Sequence, residues 1–174
     1  MTISQTKIES PSGAVIHAFV SVPKRVPKAV IQINHGMAEH AARYHRFAEV
    51  LAKAGYAAII HDHRGHGKTT ARDASLGSFG KGGIEAVLAD VDAINAHARD
   101  RFPECPVICF GHSMGAIIAL NYAIRHPQSV GALAAWNSGV ETGALSGIYR
   151  LILKVERFFK GSDVPSGIAN KLRY

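Results

Sequence analysis

The stretch CPVICFGHSMGAIIALNYAIRHP (105–127) places a single serine between two glycines, where one apolar run ends and another begins. The first run, PVICF (106–110), is short and rich in β-branched and aromatic residues, which is typical of a buried strand. The second run, 114–126, is apolar on nearly all sides and ends at Pro127, as expected of a helix packed against a sheet. Ser113 is therefore predicted to lie in a strand-to-helix turn.

Gly111, Ser113 and Gly115 form a G-x-S-x-G pattern in this turn. Between a strand and a helix, the pattern predicts a nucleophile elbow, a tight turn that directs the serine hydroxyl away from the sheet. We expect a Cβ atom at either glycine to collide with neighbouring backbone. The simpler alternative is that Ser113 only caps the following helix.

Two backbone N–H groups are candidates for stabilising an oxyanion beside this serine. The first belongs to Met114, at the positive end of the predicted helix. The second belongs to Met37, in the loop NHGMAEH (34–40) that follows an apolar run at 28–34. An ordinary turn, in which the glycine of this loop supplies an unusual dihedral angle, is the alternative. Three residues are predicted to support the two turns: His35, Gly36 and His112.

The remaining sequence alternates short apolar runs with longer amphipathic stretches. This alternation is the pattern of an α/β fold, a mostly parallel sheet with helices on both faces. Residues 6–10 are expected to pair with the first long strand across a Pro-Ser-Gly turn. The predicted strands are 14–22, 28–34, 56–62, 106–110 and 130–136.

Two amphipathic helices are predicted before the elbow. The first covers 39–54, ends at Gly55 and is expected to pack four residues on the sheet: Phe47, Val50, Leu51 and Ala54. A polar, glycine-rich loop at 63–82 precedes the second, which runs from 84 to 101. Its predicted apolar face consists of Ile84, Val87, Leu88, Val91, Ile94 and Ala98.

The composition fits one ordinary globular domain of 174 residues, 47% of them hydrophobic. A net charge of +7 would suit a nucleic acid, but the cations are scattered and no nucleic-acid-binding motif is present, so no such partner is expected. Neither a membrane-spanning run nor a signal peptide is found, which predicts a cytoplasmic location. Cys105 and Cys109 are too far apart along a strand to form a disulfide, so we predict two buried thiols.

Two other kinds of site have weaker support. Three histidines lie close in sequence, His61, His63 and His66, but no cysteine joins them and Asp62 is expected to point away, so no metal is predicted. The segment GHGKT (65–69) resembles the end of a phosphate-binding loop, yet an aspartate occupies the position of its first glycine. No cofactor is therefore expected either.

The chain resembles the monoacylglycerol lipase and lysophospholipase branch of the α/β-hydrolases in three motifs: HGMAEHAARY (35–44), HDHRGHGKT (61–69) and GHSMG (111–115). The resemblance covers residues 28 to about 137. It implies a serine esterase acting on single-chain lipid esters, with an acyl-enzyme formed on the elbow serine and with the two methionine amides as oxyanion hole. A short-chain carboxylesterase or an aminopeptidase is the alternative within the same superfamily.

The resemblance also divides the chain. Residues 1–139 correspond to the N-terminal part of the hydrolase core, and residues 140–174 to the beginning of a helical cap. A helix predicted at 147–160 has one apolar and one basic side, so it either closes an acyl pocket or makes peripheral contact with an anionic membrane surface. A lipid-binding chain without complete catalytic machinery is the third alternative.

Hydrolases of this type use an acid and a histidine that follow the serine. After Ser113 the only histidine is His126, about 18 Å further along the predicted helix, and the only aspartate, Asp163, precedes any strand that could carry it. We therefore expect the acid and base to lie beyond residue 174 of a longer protein; a second chain supplying the base is the alternative. Alone, the chain is predicted to be oligomeric or poorly soluble.

Overall fold

A six-stranded mixed sheet forms the centre of the computed structural model, which describes residues 1–138. The strands are β1 (Thr2–Glu9), β2 (Val15–Val22), β3 (Val30–Asn34), β4 (Ala57–His61), β5 (Val107–His112) and β6 (Ala132–Trp136). Their order across the sheet is β1-β2-β4-β3-β5-β6. β3, β4, β5 and β6 run parallel, whereas β2 is antiparallel to both of its neighbours. The predicted mostly parallel sheet is confirmed.

Three α-helices connect these strands: α1 (His45–Lys53), α2 (Gly83–Arg101) and α3 (Met114–Arg125). The two helices predicted at 84–101 and 114–126 are confirmed to within a residue. The helix predicted at 39–54 is wrong in its first part, because Ala41–Tyr44 form a 3₁₀ helix and α1 begins only at His45. The N–H of Ala41 donates to the Asp62 carboxylate at 2.6 Å, which fixes this turn from outside the helix.

The two faces of the sheet are covered by different helices. On one face, α1 packs over residues such as Ile33 and Ile60. On the other, Ile94 of α2 packs over Val30 and Ile59. Because side chains alternate along a strand, neighbouring residues of β3 and β4 supply both cores. The prediction of helices on both faces is confirmed.

The apolar face predicted for α1 is partly wrong. Val50 is 56% exposed and Ala54 is also exposed, whereas Ala48 and Ala52 are buried. The small alanines let the helix approach the sheet closely, so the contact surface is rotated toward them and away from Val50. Ile84, at the start of α2, is likewise exposed rather than buried.

An apolar surface remains exposed on the described part of the chain, along the outer side of α3 and on β6. Ile117, Leu120 and Ile124 occupy one side of α3, and all five residues of β6 are exposed. Within residues 1–138, β6 is also an edge strand. None of the helices described there is long and apolar enough to cross a membrane.

Both cysteines are free thiols, and their burial differs. Cys109 is buried in β5, and its burial raises the pKa of the thiol to about 12. Cys105 lies ahead of that strand, is only half-buried and donates to the carbonyl of Pro27 at 3.1 Å. The prediction of a buried thiol is therefore right for Cys109 and wrong for Cys105.

Candidate active site

Ser113 stands in a strained turn between β5 and α3. Its φ of 53° and ψ of −118° lie outside the regions that a residue with a side chain prefers. Its N–H donates to the carbonyl of Trp136 at 2.9 Å, which joins the turn to β6. The side chain makes no capping hydrogen bond to the helix, so the geometry does not support the alternative role of a helix cap.

The two flanking glycines are required by close approach of the backbone. A Cβ atom on Gly111 would lie 2.3 Å from the carbonyl oxygen of Gly115. A Cβ atom on Gly115 would lie 2.2 Å from the carbonyl oxygen of Asn34. The predicted collisions are confirmed, and the second one shows that α3 begins directly against the end of β3.

The loop after β3 turns tightly at Gly36–Glu39, where the N–H of Glu39 donates to the carbonyl of Gly36 at 3.4 Å. The residue with positive φ in this turn is Ala38, at 54°, so the alternative that the glycine supplies an unusual dihedral does not hold. Met37 occupies the turn with its side chain 57% exposed. Met114 is the first residue of α3, so its N–H has no intrahelical partner. Their roles as oxyanion donors stay a prediction.

His35 ties this turn to the loop after β4. Its Nδ1–H donates to the carbonyl of Gly36 at 2.7 Å, and its Nε2 accepts the N–H of His63 at 3.0 Å. These two bonds fit one neutral tautomer. Burial lowers the pKa of His35 to about 4, so the ring is a neutral positioning group at physiological pH.

Glu39 is a polar centre that sequence reasoning did not identify. Its Oε2 accepts the N–H of Gly36 at 3.0 Å and the hydroxyl of Tyr44 at 2.7 Å, and lies 3.3 Å from His112 Nδ1. Glu39 follows Gly36 by three residues, a spacing at which a side chain can reach back to a turn N–H. That spacing was the available signal.

An open cleft of about 540 Å³ lies beside the elbow. One part of its lining is aromatic, with ring centroids of Phe47 and Phe110 5.2 Å apart and those of Phe110 and Trp136 6.1 Å apart. The other part is polar. The full lining is Glu39, Arg43, Tyr44, Phe47, Phe110, His112, Trp136 and Asn137. The cleft therefore combines a wall for an apolar group with hydrogen-bonding groups.

The motif HDHRGHG is explained by hydrogen bonds that hold its turn. The Asp62 carboxylate accepts the N–H of Lys68 at 2.9 Å and contacts His17 Nδ1 at 3.0 Å. Burial alone would raise the pKa of Asp62, but its backbone hydrogen bonds and His17 outweigh burial and lower it. A Cβ atom on Gly67 would lie 2.2 Å from Asp62 Cγ, which explains the glycine.

Two histidines of the same motif are completely buried. The rings of His61 and His63 stand 4.7 Å apart, and among residues 1–138 neither ring has a hydrogen-bond partner. Burial lowers the pKa of His61 to about 3 and that of His63 well below its ordinary value. No three side chains in the described part of the chain are grouped to hold a metal ion.

A buried ion pair anchors the motif to α2. Arg64 is 1% exposed, and its Nε donates to Asp90 Oδ2 at 2.7 Å. Its Nη2 donates to Ser12 Oγ at 2.6 Å, and that hydroxyl in turn donates to Asp90. Sequence reasoning did not identify this cluster, since its members come from three distant segments.

His126 lies at the opposite end of α3 from the serine. Its ring stacks on Tyr122 at 4.6 Å and its Nδ1 is 3.9 Å from Asp92. This position agrees with the expectation that His126 is not the catalytic base. Asp163, the segment 140–174 and its helix at 147–160 lie outside the described residues, as does the boundary at 139.

Comparisons with known proteins agree with an α/β-hydrolase fold. Residues 25–172 match the family described as "Serine aminopeptidase, S33". The chain is 31% identical over 150 residues to a monoglyceride lipase homolog of Monkeypox virus, covering 86% of this chain and 51% of that protein. It is 30% identical over 156 residues to a monoacylglycerol lipase of Mycolicibacterium smegmatis, covering 90% of this chain and 53% of that protein.

A solved structure is similar over nearly the whole chain. It is a thermostable carboxyl esterase from Bacillus coagulans in complex with glycerol, with a TM-score of 0.79 and 26% identity. The match covers 95% of this chain and 54% of the esterase. The chain thus spans about half the length of these relatives.

Proposed function

Because the chain belongs to the serine aminopeptidase S33 family of α/β-hydrolases, we propose that it carries the nucleophile and oxyanion hole of an ester hydrolase. One observation carries the proposal: the strained backbone of Ser113 at the junction of β5 and α3. Such strain persists only where the surrounding structure enforces it, and it is typical of a serine held for nucleophilic attack.

The proposed reaction proceeds in two steps. Ser113 Oγ attacks the ester carbonyl carbon, its proton passes to a base, and collapse of the tetrahedral intermediate expels the alcohol and leaves an acyl-enzyme. Water then attacks the acyl-enzyme and releases the carboxylic acid. The N–H groups of Met37 and Met114 would stabilise the oxyanion in both steps. The base and its acid partner are predicted to follow the segment described by the structure.

The proposed substrates are esters of single-chain lipids, of the monoacylglycerol or lysophospholipid kind. The cleft supports this choice, because its aromatic wall suits an acyl chain while Arg43 and Asn137 in its lining offer polar contacts. The names of the two relatives point to monoacylglycerols, and the name of the esterase supports ester hydrolysis in general. Peripheral membrane contact through 147–160 and a cytoplasmic location remain predictions.

An alkyl fluorophosphonate probe tests the nucleophile in the full-length protein, which carries the predicted acid and base. The protein and its Ser113→Ala variant are incubated with the probe and their intact masses are compared. A single adduct that disappears in the variant is expected. An adduct of equal size in both proteins would place the reactive group elsewhere, and absence of any adduct would contradict an activated serine.

A substrate panel tests the specificity and separates the alternatives. The panel contains a long-chain monoacylglycerol, a lysophospholipid, a short-chain aryl ester and an amino-acyl amide. Preference for the two lipids is expected. Faster cleavage of the short ester would support a carboxylesterase, and cleavage of the amide alone would support an aminopeptidase.

A further inference from the structure

One carboxylate oxygen connects three groups around the elbow and the turn after β3. Glu39 Oε2 accepts the N–H of Gly36 and the hydroxyl of Tyr44, and lies within 3.3 Å of His112 Nδ1. The carboxylate is partly enclosed, with a side chain only 11% exposed. Its position is therefore set by these contacts rather than by solvent.

Two of these contacts, with Gly36 and His112, lie on opposite sides of the proposed oxyanion site. Gly36 begins the turn that contains Met37, and His112 directly precedes Ser113. The strands that carry these loops are neighbours, with Asn34 paired to Gly111. Glu39 consequently bridges the two segments whose N–H groups would bind the oxyanion.

The electrostatics favour an ionised carboxylate here. Burial alone would raise the pKa of Glu39, but hydrogen bonds from Tyr44, Gly36 and His112 outweigh it and lower the pKa. Burial and the bond to Glu39 raise the pKa of Tyr44, so this hydroxyl stays a donor. Arg43 Nε lies 3.4 Å from the second carboxylate oxygen. Hydrogen bonds to a charged acceptor are the stronger and more directional kind.

We infer that Glu39 is a positioning residue that sets the separation of the Met37 and Met114 amides. This inference rests on the proposed function. The N–H of Gly36 must point to the carboxylate, which orients the next peptide unit of the turn. The bridge to His112 holds that turn against the elbow. Glu39 is predicted to act on the oxyanion and not on the proton transfer.

The expected effect follows from the sensitivity of such sites to geometry. Loss of one oxyanion donor costs about 10²- to 10³-fold in rate, and a displacement of about 1 Å costs on the order of 10²-fold. Glu39→Gln keeps the size of the side chain but removes its charge. It also replaces one acceptor oxygen with an NH2 group, which is a donor. We expect it to slow bond formation by roughly 10- to 100-fold.

The test measures bond formation separately from binding. Labelling by an alkyl fluorophosphonate is followed by intact mass at several probe concentrations, which gives a limiting rate and a half-saturation concentration. Glu39→Gln is expected to lower the limiting rate and to change the half-saturation concentration by less than about 3-fold, because the aromatic wall of the cleft is unchanged. Glu49→Gln on α1 is the matched control and is expected to match the wild type.

A second variant separates positioning from a general loss of structure. Tyr44→Phe removes one hydroxyl that contacts the same oxygen and is expected to lower the limiting rate by less than Glu39→Gln. The double variant should lose little more than Glu39→Gln alone, because both changes act through one carboxylate. Far-UV circular dichroism reports whether each variant is folded. If Glu39→Gln is not folded, the limiting rate of Tyr44→Phe alone decides the test.

The outcomes distinguish this inference from the proposed function. A wild-type rate in Glu39→Gln, or losses in the double variant that simply multiply, would overturn the positioning role while leaving the nucleophile intact. An increase confined to the half-saturation concentration would overturn it too, since that result indicates a binding role. A wild-type protein that does not react at all would overturn the proposed function, and the positioning role with it.

Discussion

Replacing His61 by phenylalanine should reduce the dependence of stability on pH. His61 is completely buried and its pKa falls to about 3 in the folded protein, against an ordinary value of 6.5. Between these values the unfolded chain binds a proton that the folded chain excludes. The free energy of unfolding therefore falls as the pH is lowered from 6.5 toward 3, and the contribution is constant below that range.

The size of this contribution can be worked out for a chosen pH. At pH 4.5, two units below the ordinary pKa, one excluded proton costs about 3 kcal/mol relative to neutral pH. His35, with a pKa of about 4, contributes in the same direction and by a similar amount. Since a whole domain is stable by only about 5–15 kcal/mol, the protein should be close to unfolding at pH 4.5.

The assay is urea denaturation followed by far-UV circular dichroism at pH 7.5 and pH 4.5. Wild type and His61→Phe are compared, with His40→Phe, a change at an exposed site, as the control. The variant should lose about 3 kcal/mol less than wild type between the two pH values. At pH 7.5 it should be less stable by about 1–3 kcal/mol, because phenylalanine is larger than histidine and the site is completely buried, but this packing cost is the same at both pH values. An equal loss in both proteins would refute the reasoning.

Two further predictions concern packing and the buried ion pair. Asp90→Asn should lower the free energy of unfolding by about 3 kcal/mol, because the buried Arg64 guanidinium then keeps only the half-exposed Asp73, 3.6 Å away, as its counter-charge. Urea denaturation checks this against the exposed Asp100→Asn, and equal losses would contradict it. Gly115→Ala should abolish fluorophosphonate labelling. Gly77→Ala should retain it, because its Cβ would meet no atom within 4 Å, although the φ of 79° makes this control less stable by about 1–2 kcal/mol. Labelling of Gly115→Ala at the wild-type rate would show that the close contact is relieved at little cost.

Much of the fold could be predicted from the sequence, because its signals are local. β3, β4 and β5 are nearly continuous apolar runs, which is what strands buried on both faces require. α3 ends before Pro127 and α1 is followed by Gly55 with a φ of 92°. Such features depend on a few neighbouring residues and can be read without knowing the tertiary structure.

The errors arise where tertiary contacts override the local pattern. Val50 continues the apolar period of α1, yet small alanines decide which side of the helix approaches the sheet. The N–H of Ala41 finds its acceptor on Asp62, a residue of a different loop, and so a 3₁₀ turn replaces the predicted helix start. Long-range pairings of this kind leave no periodic trace in a single sequence.

In the candidate site, too, local features could be predicted from the sequence and long-range contacts could not. The G-x-S-x-G spacing located Ser113 and its two glycines because the collisions occur within one turn and its neighbouring strand. The spacing of Gly36 and Glu39 is a local signal, but the contact of Glu39 with His112 forms only where the loop after β3 meets the end of β5. Motifs identify the reacting group more readily than the groups that hold it.

The hydrogen bond from the N–H of Ser113 to the carbonyl of Trp136 has a consequence for biosynthesis. The ribosome makes Ser113 before Trp136, by an interval of roughly one to five seconds at ~5–20 residues per second. Throughout that interval the nascent elbow lacks the strand that restrains it and is free to relax. A chain that ends before residue 136 should therefore hold Ser113 in a turn that lacks this restraint.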